Sequence, residues 1–496
     1  MHSAQTGGGG DRSGFGAGNA ASAAFDSNYT DDKPSHVPVM RTIENIFEED
    51  EKMCEKYSTI RIEDDEITIS GQGDEAPTMI EAWADGNLQE SLLANINRAK
   101  YVLPRKIQSY TIPLIMDGYD VKGHAETGSG KTAAFLIPII DTIIKKKAAE
   151  EMKSERSKPI ALIIEPTREL AIQLHDQARK LAEGTGVSVA VAYGKYQYRD
   201  NLRHVSMGCD ILVGTPGRLK DFILKRYVMV ENLKYLVIDE ADELLEDQFM
   251  RDIRDISNVE KFPRGSSTLL FSATFPELIQ EWANEWMRPK NVMVSNKKLT
   301  TANHRVRQDF HLVAESEKKT KLLEMLNEEL AELKKAEPDN EDLKLRKTLI
   351  FVKLKRTCDV LCSYLQQNKF TSTTINGDRT QEQRENCLNQ LRNGEVQVVV
   401  TTDVCARGID IKNLDHVINM DLPETYVSYI HRIGRTARLK EGTATSFFDP
   451  LADMDLAGPL VKGIKDVGQE VPEFLEKAAD GTLEYQPHPR RLRIWC

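Results

Sequence analysis

Cysteine is sparse. There are seven in 496 residues, an odd number, scattered, with none in a C-x-x-C pair. That excludes a disulfide framework and a cysteine-built zinc site, and it points to a reducing compartment. Cys358 and Cys362 stand one helical turn apart and are expected to pack in a core. Long apolar runs are missing too. No stretch could cross a bilayer, and Met1 to Asn19 lacks the apolar centre of a signal peptide. Nor is there a basic excess: 66 Lys and Arg face 77 Asp and Glu, for a net charge of −11. A generally basic nucleic-acid coat is excluded, so any polyanion must meet a local basic cleft. Residues 1–40, with the run Gly7 to Gly10 and Phe15 among glycines, have too little apolar surface to offset the entropy of ordering. They read as a solvated tail, with an interaction tail as the alternative.

The rest has the make-up of a soluble globular protein, 40 % hydrophobic and 29 % charged. Its length suits two large α/β domains plus tails. The stretch Ala125 to Thr132, AETGSGKT, organises it. A run with strand-turn character, Ile115 to Val121, precedes it, and a helix-capable apolar run, Ala133 to Ile144, follows. Thr127, Gly128, Ser129 and Gly130 form a loop whose backbone N–H groups can approach a phosphate, helped by the positive end of the helix dipole. Lys131 would reach the outer phosphates and Thr132 would ligate Mg²⁺. Ala125 stands where the first glycine of the G-x-x-x-x-G-K-[ST] pattern usually does.

Upstream, Arg41 to Ile69 is acidic and amphipathic, and reads as a short helix, an extended segment and a surface flank. Leu88 to Ala99 has helical spacing and leads to Tyr101, Pro104 and Gln108. A glutamine amide donates and accepts together, which suits an adenine edge, and an aromatic ring can stack on the base. Downstream, apolar runs at Ile160 to Glu165, Asp210 to Gly214, Tyr235 to Ile238 and Thr268 to Phe271 predict buried parallel strands. Each ends in a polar motif: PTREL (166–170), TPGRL (215–219), DEAD (239–242) and SAT (272–274). That edge of an open α/β sheet is where ligands bind. Asp239 can hold Mg²⁺ through water, and Glu240 can position or deprotonate an attacking water.

Ser295 to Arg307 is polar and aperiodic, and reads as a linker. Strand patterns then restart at Arg307 to Val313, Thr348 to Val352, Ser372 to Ile375, Val396 to Thr401, His416 to Met420 and Thr443 to Phe448, with no second phosphate loop. The Glu/Lys-rich stretch Leu326 to Lys347 predicts a solvated helical insertion, with a partner-binding insertion as the alternative. TTDVCARGID (Thr401 to Asp410) and HRIGRTAR (His431 to Arg438) stand out. The three arginines of the second would be costly to bury without anions, and they suit a finger delivered to the phosphates of the first half.

These motifs, in this order, resemble the DEAD-box RNA helicases of superfamily 2, over roughly Ile46 to Ala479. The flank and the Gly-rich tail are similar to the Vasa/Ded1-like branch, and within it to germline helicases such as the nematode Mutator type of small-RNA silencing. The resemblance implies an α/β fold of two tandem RecA-like parallel-sheet domains joined by a short linker. The implied layout is a tail (1–40), a flank (41–75), domain 1 (76–295), a linker (296–306), domain 2 (307–480) and a C-terminal tail (481–496). It implies ATP and Mg²⁺ as cofactors, with Gln108 reading adenine, Tyr101 stacking on it, Trp83 in the upstream aromatic position and Asp410 on the ribose. Lys131, Asp239, Glu240, His431, Arg435 and Arg438 would be catalytic, with the last two arginines on the γ-phosphate. Ser272 and Thr274 would couple hydrolysis to RNA release. RNA would lie along Pro166, Thr167, Arg168, Gly194, Thr215, Pro216, Gly217 and Arg218, and in domain 2 along Arg384, Thr402 and Asp403. Contacts to sugar and phosphate imply little sequence preference. The implied activity is RNA-stimulated ATP hydrolysis with local unwinding, in cytoplasm or perinuclear granules, with the nucleus as the alternative, beside small-RNA or germ-granule proteins and away from membranes. The alternatives are an ATP-gated RNA clamp or granule scaffold, and a DNA translocase, which the DEAD spelling disfavours. The chain departs from the family at Lys100, Lys195 and Ala437, where the family has Gly, at Arg105, where it has Thr, and at Asn376, where it has His.

Overall fold

The computed structural model describes residues 37–485 apart from 39, 60–66, 72–78, 126–127, 152–156, 246, 297–304, 339–343, 404–413 and 438–440, and apart from the side chains of 53–59 and 245–248. The Gly-rich tail to residue 36, Thr127, most of the linker, Asp410, Arg438 and the last eleven residues therefore lie outside the described residues. The first sheet contains β1 (Ile67–Gly71), β2 (Asp120–His124), β3 (Ala161–Ile164), β4 (Val189–Ala192), β5 (Ile211–Gly214), β6 (Tyr235–Ile238), β7 (Ser267–Ser272) and β8 (Asn291–Asn296). Their spatial order is β1-β8-β2-β7-β6-β3-β5-β4. The second contains β9 (Val306–Leu312), β10 (Thr348–Phe351), β11 (Ser372–Ile375), β12 (Val398–Thr401), β13 (His416–Asn419) and β14 (Gly442–Phe448), in the order β11-β12-β10-β13-β14-β9. Among the described residues every pairing is parallel except β1 with β8. The architecture is the expected one, two parallel-sheet α/β domains.

The central strands are buried along their whole length: ALII in β3, YLVI in β6, TLIF in β10 and VVVT in β12. Helices on both faces require such runs, because neither face meets water. Cys358 and Cys362 are buried in the helix Lys355–Gln367, as expected.

Several boundaries differ from the sequence reading. Ile115 belongs to the helix Lys106–Met116, and the strand before the phosphate loop is β2, four residues further on than Met116. β2 has little apolar character because its start, the fully buried Asp120, is neutralised by Arg288, whose Nε donates to it at 2.9 Å. Gly123 in β2 is needed for close approach: a Cβ there would lie 2.3 Å from the Phe271 ring. The extended flank is β1, which adds to the edge of the first sheet beside β8. Ser295, read as linker, is a β8 residue paired with Thr68 and His124. The acidic flank helix, Ile43–Thr59, is longer than expected and is no mere surface element, since it buries Ile46, Phe47 and Asp50. The Glu/Lys-rich helix begins earlier, spanning Lys318–Ala336, and buries Leu322 and Leu326.

The three glycine departures have a common geometry. Lys100, Lys195 and Ala437 adopt φ of 61°, 66° and 58°. Left-handed backbone costs an L-residue about 1 kcal/mol or more, which glycine avoids. Lys195 and Lys100 are therefore strained, each in a position built for glycine. Lys195→Gly and Lys100→Gly should each stabilise the protein by about 0.5–1 kcal/mol after the entropy cost of glycine in the unfolded chain. Urea unfolding midpoints of the single and double variants check this; unchanged or lower midpoints would count against strain at these positions.

Candidate active site

The phosphate loop, SAT, DEAD and PTREL follow β2, β7, β6 and β3, four adjacent strands, so the sheet itself gathers them at one edge. Gly130, with φ of 97°, caps the helix Lys131–Ala148, which places Lys131 and Thr132 in its first turn. A Cβ on Gly130 would lie 2.5 Å from the Gln108 amide, so only glycine fits between that amide and the loop. Gln108 is buried, accepts from Arg105 N–H at 2.8 Å and donates to Gly130 O at 3.1 Å. The Arg105 guanidinium also donates to Gly128 O. Where the family has a threonine hydroxyl, this chain braces the loop with a guanidinium.

Lys131 Nζ lies 3.3 Å from Glu240 Oε2, both side chains buried. Glu240 holds φ of 46°, a strained conformation for glutamate, and its N–H donates to Asp239 Oδ1 at 2.9 Å. Glu165, just after β3, is fully buried, and neither carboxylate oxygen has a hydrogen-bond partner among the described residues. Burial, then Asp239 and Glu240, pushes its carboxyl well up. Burial pushes Asp239 up to about 7, against the pull of Lys131. Burial alone would lower Lys131, but the carboxylates around it raise it.

Asp242 is the hub of the site, and its role was not assigned from sequence although it closes the DEAD motif. Its Oδ2 accepts from Thr274 N–H at 3.1 Å and Thr274 Oγ1 at 2.7 Å, and its N–H donates to Ser272 Oγ at 3.2 Å. From the second sheet, His431 Nε2 lies 3.3 Å from the same Oδ2, and His431 Nδ1 lies 3.7 Å from Glu243. Burial opposes both charges, but the pairing wins: His431 is raised and Asp242 is held well below the usual carboxylate range. Arg435 follows one turn after His431, is buried, and donates through Nε to His431 O at 3.1 Å.

Two expected nucleotide contacts look different here. Trp83 is buried in the core of the first sheet, and its indole N–H donates to Tyr101 O at 2.8 Å, so it supports the segment instead of facing a base. Tyr101 remains partly exposed, with its hydroxyl accepting from Lys180 Nζ at 3.3 Å.

Thr167 caps the helix Arg168–Ala182 by accepting from Leu170 N–H, and Thr215 with Pro216 begins the helix Pro216–Leu224. Two helix N-termini at one sheet edge suit phosphate oxygens. The Arg168 guanidinium passes Gly194, where a Cβ would sit 3.5 Å from Nη2, and burial lowers Arg168. Arg218 is anchored by Asn201 Oδ1 at 3.1 Å and lies over the Tyr198 ring, and Pro166 and Gly217 complete the two turns. On the second sheet the expected RNA-facing residues have protein partners. Arg384, half-buried, forms an ion pair with Glu169, 2.9 Å away, and Gln381 donates to the same carboxylate at 3.1 Å. Arg384 therefore ties one half to the other. Asp403 accepts from the Arg432 guanidinium at 2.7 Å. Thr402 is buried beside it at the end of β12.

Residues 105–282 match the DEAD/DEAH box helicase family, and residues 321–440 match the helicase conserved C-terminal domain. The chain belongs to the DEAD-box helicases. This DEAD-box chain is 38 % identical to the Drosophila melanogaster ATP-dependent RNA helicase vasa over 84 % of its own length and 60 % of vasa's. It is 39 % identical to the Mus musculus ATP-dependent RNA helicase DDX4, over 86 % of its own length and 58 % of that protein's. It thus spans less than two thirds of either relative. Among solved structures, Mss116 bound to ssRNA and UDP-BeF aligns with a TM-score of 0.70 and 27 % identity, over 83 % of this chain and 84 % of that one. S. cerevisiae Dbp5 bound to RNA and ADP BeF3 aligns with a TM-score of 0.66 and 25 % identity, over 82 % and 100 %.

The donor set fits a divalent cation. Glu165, Asp239, Glu240, Asp242 and Glu243 gather around Lys131 and His431, a surplus of buried negative charge. Among the described residues no three such side chains form a ready cage for a metal ion. The surplus has a pH signature. Because Asp239 titrates near 7 when folded and near 3.8 when unfolded, its favourable contribution is complete below about pH 4 and is lost as pH rises through 7. Asp239→Asn should therefore raise stability relative to the parent by about 2–4 kcal/mol at pH 8 and by little at pH 4.5. Denaturation at both pH values without nucleotide or Mg²⁺ checks it; an equal effect at the two would refute the assignment.

Proposed function

We propose that this chain is an ATP-dependent RNA helicase that uses Mg²⁺-ATP to grip, locally unwind and release RNA with little sequence preference. The observation that carries the reading is the junction at Asp242, where the nucleotide edge of the first sheet, the SAT turn and His431 of the second sheet meet. Support also comes from the names of the relatives, both ATP-dependent RNA helicases, and from two structural neighbours bound to RNA.

In this reading Lys131 and Glu240 neutralise each other until nucleotide arrives. Lys131 then turns to the outer phosphates, and Glu240 is freed to orient a water and accept its proton. The water oxygen attacks the γ-phosphorus, the bond to the β–γ bridging oxygen breaks, and ADP and phosphate leave. Thr132 and Asp239 would hold Mg²⁺, which neutralises charge on the phosphate oxygens. Arg435 and Arg438 would balance charge developing on the transferred group. Gln108 and Tyr101 would hold the base and Asp410 the ribose. Loss of the γ-phosphate would be felt at Asp242 and passed through Ser272 and Thr274 to the RNA face. There the two helix N-termini, Arg168 and Arg218 would hold the backbone. From the resemblance to the Vasa/Ded1-like branch we place this work in germline RNA regulation, in cytoplasm or perinuclear granules, with small-RNA pathway proteins as partners.

Steady-state ATPase assays with and without single-stranded RNA test the reading. The parent should show RNA-stimulated turnover. Lys131→Ala should lose nucleotide binding. Glu240→Gln should lose about 100-fold or more in turnover while retaining RNA with ATP bound. Turnover indifferent to RNA would favour a clamp or scaffold, and a Glu240→Gln variant as fast as the parent would remove that carboxylate from the mechanism.

A further inference from the structure

The acidic flank helix is joined to the nucleotide edge by a chain of buried contacts. Asp50, on the helix Ile43–Thr59, and Lys180, near the end of the helix Arg168–Ala182, pair at 2.5 Å with both side chains almost wholly buried. Lys180 is fully buried, yet its ammonium also donates to Tyr101 Oη at 3.3 Å and sits 5.0 Å from the centre of the Tyr101 ring. The rest of Tyr101 is fixed as well. Its N–H donates to Ile96 O at 3.2 Å, and its carbonyl accepts from Trp83 Nε1 at 2.8 Å. The preceding residue is the strained Lys100, whose ammonium lies 3.4 Å from Glu51 on the same flank helix. One turn back, the Arg98 guanidinium covers the Phe47 ring at 3.9 Å. Three flank residues, Phe47, Asp50 and Glu51, thus hold the segment that delivers Tyr101.

We infer that the flank helix is a positioning element of the nucleotide-base site, and that Asp50 acts through Lys180 to fix the Tyr101 ring. The inference rests on the reading of Tyr101 as the base platform. The physical reason is direct. A buried ammonium needs a countercharge, and here the flank supplies the carboxylate. Countered in this way, Lys180 can stay inside and aim a donor at the phenol. Without Asp50 the ammonium must leave its site or disturb it, and the hydroxyl loses the donor that fixes the ring. An aromatic platform free to reorient forfeits part of its stacking on a base, whereas the phosphate loop, held by β2 and the helix Lys131–Ala148, keeps its place. A helix that merely glued the fold together would not distinguish base from phosphate.

That difference is the test. Calorimetric titrations of the full chain should compare ADP with ribose 5-diphosphate, the same ligand without its base. Asp50→Asn should weaken ADP by about tenfold, the size of a stacking interaction, and change ribose 5-diphosphate by less than about twofold. If Asp50→Asn folds poorly, the double variant Asp50→Leu with Lys180→Leu removes both charges, keeps the space filled and should show the same split. Unchanged ADP affinity, or equal loss for both ligands, overturns the inference. Tyr101→Ala separates the two levels. If it weakens ADP while the Asp50 variants do not, only the flank's role is wrong. If it leaves ADP unchanged, the base-platform reading fails and the inference with it.

Discussion

Negative charge buried at one sheet edge is the constraint around which the first domain is arranged. Glu165, Asp239, Glu240, Asp242 and Glu243 all lie behind β3 or β6, where strands bounded by apolar neighbours leave little water to solvate them. The fold answers with few cations of its own. Lys131 meets Glu240, and His431 crosses from the second sheet to meet Asp242. Both are interactions that a polyphosphate and a divalent ion would rearrange. The site is thus charged in advance of its ligand, a common way for a protein to hold binding energy at a functional position.

The same logic separates what the sequence could disclose from what it could not. Buried central strands were legible because β3, β6 and β10 are unbroken apolar runs. β2 was misplaced because a chain reader sees Asp120, Lys122 and His124, and not Arg288, 168 residues later, which makes Asp120 tolerable inside. β4 escaped because its residues, VAVA, are small and it lies at the sheet's edge beside β5, and β8 because it alternates in burial. Lys131, Glu240 and the SAT turn could be placed from local spacing alone. Asp242 could not be given its role, since Asp242, Thr274 and His431 come from three different stretches. The resemblance implies ligand contacts for Trp83, Arg384 and Asp403; each also has a protein partner that only folding brings near.

The glycine departures carry a related lesson. A motif glycine is commonly read as room for a ligand. At Lys100, Lys195 and Ala437 the requirement is instead a backbone angle, and an L-residue meets it at an energetic cost. The lysines add charge beside a predominantly acidic chain, and Lys100 uses that charge to reach Glu51.

The order of strands also bears on how the polypeptide is made. In each sheet the first strand to leave the ribosome pairs with the last: β1 with β8, and β9 with β14. Until Asn296 has emerged, Ile67–Gly71 has no neighbour to bond with, and Val306–Leu312 waits likewise for Phe448. Each domain is therefore sealed only when its synthesis is nearly complete, and the nascent chain must carry an unsatisfied edge for hundreds of residues in one case and more than a hundred in the other. A translational pause placed within either interval would prolong the period in which that edge can pair with the wrong strand.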